Sequence, residues 1–181
     1  MRFLLLLCCG LLLFGTACDD NDNPEPEPPE DNLAVAATII RLIVSGGSQG
    51  ARTFSYRQVP PVDGVAQPPE VDDITLDANT NYTYRIIVLG EDTNGTRTLT
   101  DEVEADGEDY LFTFDVLAAD ITIVPNDEDQ FGDPIGLTGT IQTGDTSSGV
   151  LMFDLFFETN KASPGSSGDR ILGGDYRVEI Q

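Results

Sequence analysis

The stretch YTYRIIVLG, residues 82–90, carries apolar side chains at Tyr82, Tyr84, Ile86 and Val88 and a mixed set at Thr83, Arg85, Ile87 and Leu89. Successive side chains of an extended chain leave on opposite faces, so the two sets lie on opposite sides, and both faces are partly apolar. Aromatic and β-branched residues pack well on a pleated surface. The stretch predicts a strand.

Similar runs lie on both sides of it. AVAATIIRLIV (34–44), RTFSYRQ (52–58), ITL (74–76), RTLTDEVEA (97–105), DYLFTFDVL (109–117), ITIVP (121–125), GLTGTIQTG (136–144), GVLMFDLFFET (149–159) and DYRVEIQ (175–181) all read as strands. The alanines of 34–44 also suit a helix, but Thr38, Ile39, Ile40, Ile43 and Val44 favour a strand. No run shows a sustained helical stripe, and Gly, Asn, Asp and Pro clusters separate the runs. About eight to ten such strands predict an all-β fold, an antiparallel immunoglobulin-like β-sandwich over residues 33–181. The loops PPVDGVAQPPEVDD (60–73) and NKASPGSSGD (160–169) read as exposed connectors, where loops at one end of a sandwich would grip a partner.

The start of the chain has a different character. An apolar run over residues 3–14 follows Arg2; it is shorter than the roughly 20 residues a membrane span takes and fits a secretory signal peptide, residues 1–17. Gly15, Thr16, Ala17 and Cys18 resemble a bacterial lipobox, with Gly15 where an aliphatic residue is usual, and the resemblance makes Cys18 the lipid-bearing first residue of the mature chain. Ordinary cleavage after Ala17 would leave Cys18 a free thiol. Residues 18–32 then alternate acids with Pro24, Pro26, Pro28 and Pro29, a composition that favours extended polyproline II and buries no core. At about 3.1 Å per residue the tract spans roughly 40 Å, a tether that repels anionic lipid. The anchor would hold the protein to a membrane through acyl chains; a single chain binds only marginally, and bacterial lipoproteins carry two or three.

The 181-residue chain has nine basic and 32 acidic residues, a net charge of −23, so its field repels phosphates and nucleic acid is not an expected partner. It contains no His and no Trp, and its three cysteines, Cys8, Cys9 and Cys18, all lie at the start. The usual serine and cysteine hydrolase pairs need His or Cys, and soft metals prefer those ligands, so an enzyme is not expected. Tyr56, Tyr82, Tyr84, Tyr110 and Tyr176 are the rings left to stack on a sugar. In VPNDEDQFGDPIGL (124–137), Asp127, Asp129 and Gly132 match part of a calcium-loop spacing, in which alternate carboxylates converge on a hard cation. Phe131 and Thr138 occupy positions where that loop carries acidic or amide ligands. The same stretch also reads as an acidic hairpin turn closed by Gly132 and Pro134.

Two resemblances suggest an address. Acids directly after Cys18 resemble the surface-export signal of Bacteroidota lipoproteins. The segments 76–92 (LDANTNYTYRIIVLGED), 126–144 (NDEDQFGDPIGLTGTIQTG) and 147–165 (SSGVLMFDLFFETNKASPG) are similar to a family of small Bacteroidota outer-membrane lipoproteins. Some of its members carry the label type 1 periplasmic binding fold superfamily, which implies alternating helices and strands. The resemblance implies a surface-exposed lipoprotein on the outer membrane, accessory to a TonB-dependent receptor in nutrient uptake. Many members have His before the Asn-Lys pair, where this chain has Phe157. The alternative is a structural or adhesive immunoglobulin-like envelope domain without a small ligand.

Overall fold

The computed structural model describes residues 37–59, 61–92, 95–157, 159–164 and 166–181, which belong to a compact unit, Asp31–Gln181. The signal segment 1–17, Cys18, the tether 18–32, Leu33 and residues 34–36 of the first expected strand lie outside the described residues. The described chain forms β1 (Ala37–Gly46), β2 (Arg52–Arg57), β3 (Glu70–Val71), β4 (Ile74–Leu76), β5 (Asn81–Asp92), β6 (Gly95–Thr98), α1 (Thr100–Ala105), β7 (Tyr110–Leu117), β8 (Ile121–Pro125), β9 (Thr138–Thr143), β10 (Ser147–Phe157) and β11 (Asp169–Ile180).

These strands make two sheets. The larger runs β3-β2-β1-β5-β9-β8, with β6 also on β5; the smaller runs β4-β11-β10-β7. The opening stretch is the hub of the larger sheet, because β5 pairs with β1 along most of its length, with β9 through 81–85 and with β6 through 89–92. All ladders are antiparallel except β4 on β11, which is parallel with Ile74 opposite Val178. The expected all-β sandwich is the architecture found, with this one parallel pair added.

Alternation decides which side chains meet between the sheets. Ile40, Leu42 and Val44 of β1, Phe54 and Tyr56 of β2, and Tyr82, Tyr84, Ile86 and Val88 of β5 are buried. They form one core with Ile74 and Leu76 of β4, Phe112 of β7, Leu151, Phe153 and Leu155 of β10, and Leu172, Tyr176, Val178 and Ile180 of β11. Burying such a side chain contributes about 1.5–3 kcal/mol.

Two tyrosines cross the core in opposite directions. Tyr56 leaves β2 and donates its hydroxyl to the Gly173 carbonyl of β11 at 3.2 Å, while Tyr176 leaves β11 and donates to the Ile40 carbonyl of β1 at 3.4 Å. Their rings lie 6.4 Å apart, and Phe153 sits 5.2 Å from Tyr56 and 5.5 Å from Tyr176. Burial raises the pKa of both phenols, which keeps them as donors. Tyr56 reaches the β11 backbone only because residue 174 is glycine: a Cβ there would stand 2.2 Å from the Tyr56 ring.

Three sequence expectations need correction. The run 97–105 is not one strand: β6 ends at Thr98, and Thr100–Ala105 is helix α1. Leu99 and Val103, one helical turn apart, are both fully buried, and Asp101 and Glu102 in the first turn suit the helix dipole. Thr100 turns its hydroxyl back to β5, accepting from the Val88 N–H at 3.0 Å, so a side chain continues the strand's pairing where the backbone has curled away. The 60–73 loop contains β3, paired with β2 at Tyr56 and Arg57. And β11 begins at Asp169, ahead of the expected 175, because Gly173 and Gly174, which read as turn residues, are strand positions that make room for neighbouring side chains.

Gly174→Ala is expected to destabilise the protein by roughly 1–3 kcal/mol through overpacking against Tyr56, and Tyr56→Phe by about 1 kcal/mol through the lost hydrogen bond. In a Tyr56→Leu background the alanine should cost markedly less. Urea unfolding of wild type, Gly174→Ala, Tyr56→Leu and the double variant, followed by circular dichroism, measures this coupling; additive effects would show that the ring does not need the glycine.

Candidate functional site

Three segments distant in sequence meet at one group of loops: the 106–109 connection after α1, the acidic turn 126–137, and the 159–164 segment after β10. Lys161 joins them. Its ammonium donates to the Gly107 carbonyl at 2.6 Å and to the Asp129 carboxylate at 2.7 Å. The two side chains are only 6% and 2% exposed. A charge so far from water is tolerated when its donors are matched, and here they meet a full opposite charge and a carbonyl.

The turn is built around its aspartates. The other oxygen of Asp129 accepts from the N–H groups of Phe131 (2.9 Å) and Asp133 (3.0 Å). The backbone closes with Asp129 N–H on the Asp133 carbonyl, a bridge between Glu128 and Pro134, and Gly132 at φ 87°. The hydrogen bond from Lys161 lowers the Asp129 pKa to about 2, with the amides of Asp133 and Phe131 acting the same way and burial opposing them. Asp127 has a different set of partners: it accepts from Gly136 (2.9 Å), Leu137 (2.7 Å) and Thr138 (3.1 Å) and so fixes the entry to β9. Gly136, at φ 90° and with Phe112 too close for a Cβ, accepts from the Tyr84 hydroxyl at 3.3 Å. Burial, reinforced by Asp127, raises the Tyr84 pKa.

The structure thus directs the two candidate calcium ligands to separate internal donors, Asp127 to backbone amides and Asp129 to an ammonium. Among the described residues no group of three or more His, Cys, Asp or Glu is placed to hold a metal ion. The hairpin-turn alternative describes the geometry. The tyrosines proposed to stack on sugars are core residues instead: Tyr56, Tyr82, Tyr84, Tyr110 and Tyr176 are all buried. Phe157 packs its ring 5.1 Å from Tyr110. Cys18 lies outside the described residues.

Two hollows flank Lys161. One, of about 270 Å³, is acidic, with Glu104, Glu108 and Glu128 around Asp129 and Ile135. Next to it Asp109 has a raised pKa from burial and from the charges of Glu108 and Asp106. The other, of about 220 Å³, is apolar, between Phe112 and Phe114 of β7 and Ile123 and Pro125 of β8, with Pro134, Pro164 and Lys161 at its border.

Lys161 is the residue that sequence reasoning overlooked, because its segment reads as a Ser/Gly/Pro connector. A signal existed: it is the only lysine in a chain with 32 acids, so a role in solubility does not account for it. No protein-family model, curated protein or solved structure matches the chain.

Lys161→Met, which strands a buried carboxylate, is expected to lower the melting temperature by on the order of 10 °C. Because folding lowers the Asp129 pKa, the stability from this pair is complete above the ordinary 3.8 and is lost as pH falls toward about 2. Melting curves from pH 6 to pH 2 on wild type and Asp129→Asn test the sign: the variant should lose less stability across that window. An amine-reactive ester should leave Lys161 unmodified in the native protein and modify it in denaturant, as read by peptide mass mapping.

Proposed function

We propose that this chain is a non-catalytic binding module displayed on the outer face of an outer membrane, anchored by acyl chains on Cys18 and accessory to TonB-dependent nutrient uptake. The observation that carries the reading is the order of segments: an apolar signal, a cysteine after small residues, an acidic proline tract, then a β-rich body. Acyl chains supply the membrane affinity that the acids following Cys18 cannot. The same acids and prolines hold the body off the surface, where its loops face the medium. The commitment of Asp127, Asp129 and the five tyrosines to internal contacts removes those side chains from the groups such a module could offer a ligand. That observation favours the second reading, a structural or adhesive immunoglobulin-like domain with no small ligand.

Metabolic labelling with palmitate should mark the wild type and leave Cys18→Ala unmarked; equal labelling of both removes the anchor from the scheme. Proteinase added to intact cells should degrade the protein, and complete protection would place it on the inner side. A thermal-shift panel of divalent cations, metal chelates and oligosaccharides separates the two readings, since a ligand above its dissociation constant raises the melting temperature. A shift from one member supports nutrient capture, and no shift from any supports the structural role.

A further inference from the structure

We infer that the free edge of β7 and the apolar hollow beside it form a docking site for an extended, basic segment of a protein partner, which adds to the smaller sheet as a strand. β7 is the last strand of that sheet and pairs only with β10. Sheet edges are normally blunted by short strands, proline, charged side chains or a covering segment. The other edges fit this rule among the described residues: β3 has two residues, β4 three and β6 four, while β8 has five and ends in Pro125. β7 has eight, YLFTFDVL, with no proline and Asp115 as its one charge.

Which backbone groups face outward follows from period two. The N–H of Tyr110 goes to the Gly107 carbonyl at 3.4 Å and that of Phe112 to the Ile135 carbonyl at 2.7 Å, so both point away from β10. The β7–β10 register runs without a shift from Tyr110 to Leu117, so Phe114 and Val116 also turn their N–H and C=O groups outward. The 134–137 segment covers the edge at Phe112 and then moves on to β5, where the Leu137 carbonyl accepts from the Ile86 N–H at 2.7 Å. Past that point the edge offers two residues' worth of main-chain donors and acceptors.

Chemistry beside the edge selects the occupant. The hollow of about 220 Å³ is floored by Phe114, Ile123 and Pro125 and takes an apolar side chain. Its one cation, Lys161, is buried against Asp129. The rim carries exposed Asp115 and Asp133 in a chain of net charge −23. An added strand therefore presents apolar side chains to the hollow at alternate positions and Lys or Arg between them, combining main-chain pairing with side-chain pockets. A second copy of this chain would bring a further −23. The site names a partner class for the binding role proposed above, and it rests on the β7 edge alone, so Cys18 labelling and β7 docking fail independently.

Amide hydrogen exchange on the ¹⁵N-labelled full chain tests the inference. In the free protein the Phe114 and Val116 amides should exchange faster than those of Thr113 and Asp115, which bond to β10. A synthetic peptide of alternating Lys and Val should slow exchange at Phe114 and Val116 by about tenfold or more, whereas alternating Glu and Val, or a Lys-Val peptide with proline at every second valine, should not. Val116→Pro removes an outward N–H that the ladder does not use, so it should abolish the effect; the proline-bearing peptide gives the same control without altering the fold. No slowing with Lys-Val, or equal slowing with the proline peptide, overturns the inference. So does protection at these two amides that rises with protein concentration alone, which would assign the edge to a second copy.

Discussion

Tyr56 and Tyr176 each send a hydroxyl across the core to the opposite sheet's backbone, and this reciprocal crossing fixes how the two sheets lie on one another. Apolar burial alone is non-directional and would tolerate sliding of one inner face over the other. A buried hydroxyl has to meet a particular carbonyl, because an unmatched one costs about 1–3 kcal/mol. Only one alignment satisfies both phenols while Phe153 lies against both rings. No cysteine occurs after Cys18, so no covalent bridge can take over this role within the folded body. Among the described residues every buried side-chain polar atom has a partner, so the core's specificity has no polar conflict working against it.

The loop cluster inherits its geometry from that alignment. β7 and β10 bring Gly107 and Lys161 to their places at one side of the smaller sheet, and β9 with β8 delivers the acidic turn from the larger one. Lys161 then ties elements of both sheets through a single ammonium. Repulsion among so many carboxylates opposes compaction, and a buried cation beside Asp129 offsets that repulsion where three loop segments meet. The same arrangement removes Asp129 from any cation in the medium. What a conventional acidic loop would present outward, this turn uses to hold itself together.

Among the described residues the outside carries carboxylates, scattered apolar side chains such as Val65, Leu117 and Phe131, and the long edge of β7. The five tyrosine rings are inside, and the carboxylates that suggested calcium have internal donors. In the docking proposed above, a partner would meet main-chain groups at β7 and the negative field.

The sandwich was legible in residues 82–90 and the runs like it, because a period of two is a local property and each strand's inner face can be read without knowing its partner. Leu99 and Val103, spaced by one helical turn within an apparently alternating run, hid α1: six residues are too few for a stripe to stand out. Gly173 and Gly174 hid the start of β11, since glycine signals a turn unless a ring from another strand needs the space. By itself the sequence determined the class of fold, the apolar faces and the acidic balance, all set by neighbours along the chain. Tertiary structure alone decided that Lys161 meets Asp129, that Asp127 meets the amides at β9, and that β7 is left at an edge. Those outcomes depend on which distant segments are brought together, and a charge, a carbonyl or a strand edge acquires its partner only when the sheets have closed.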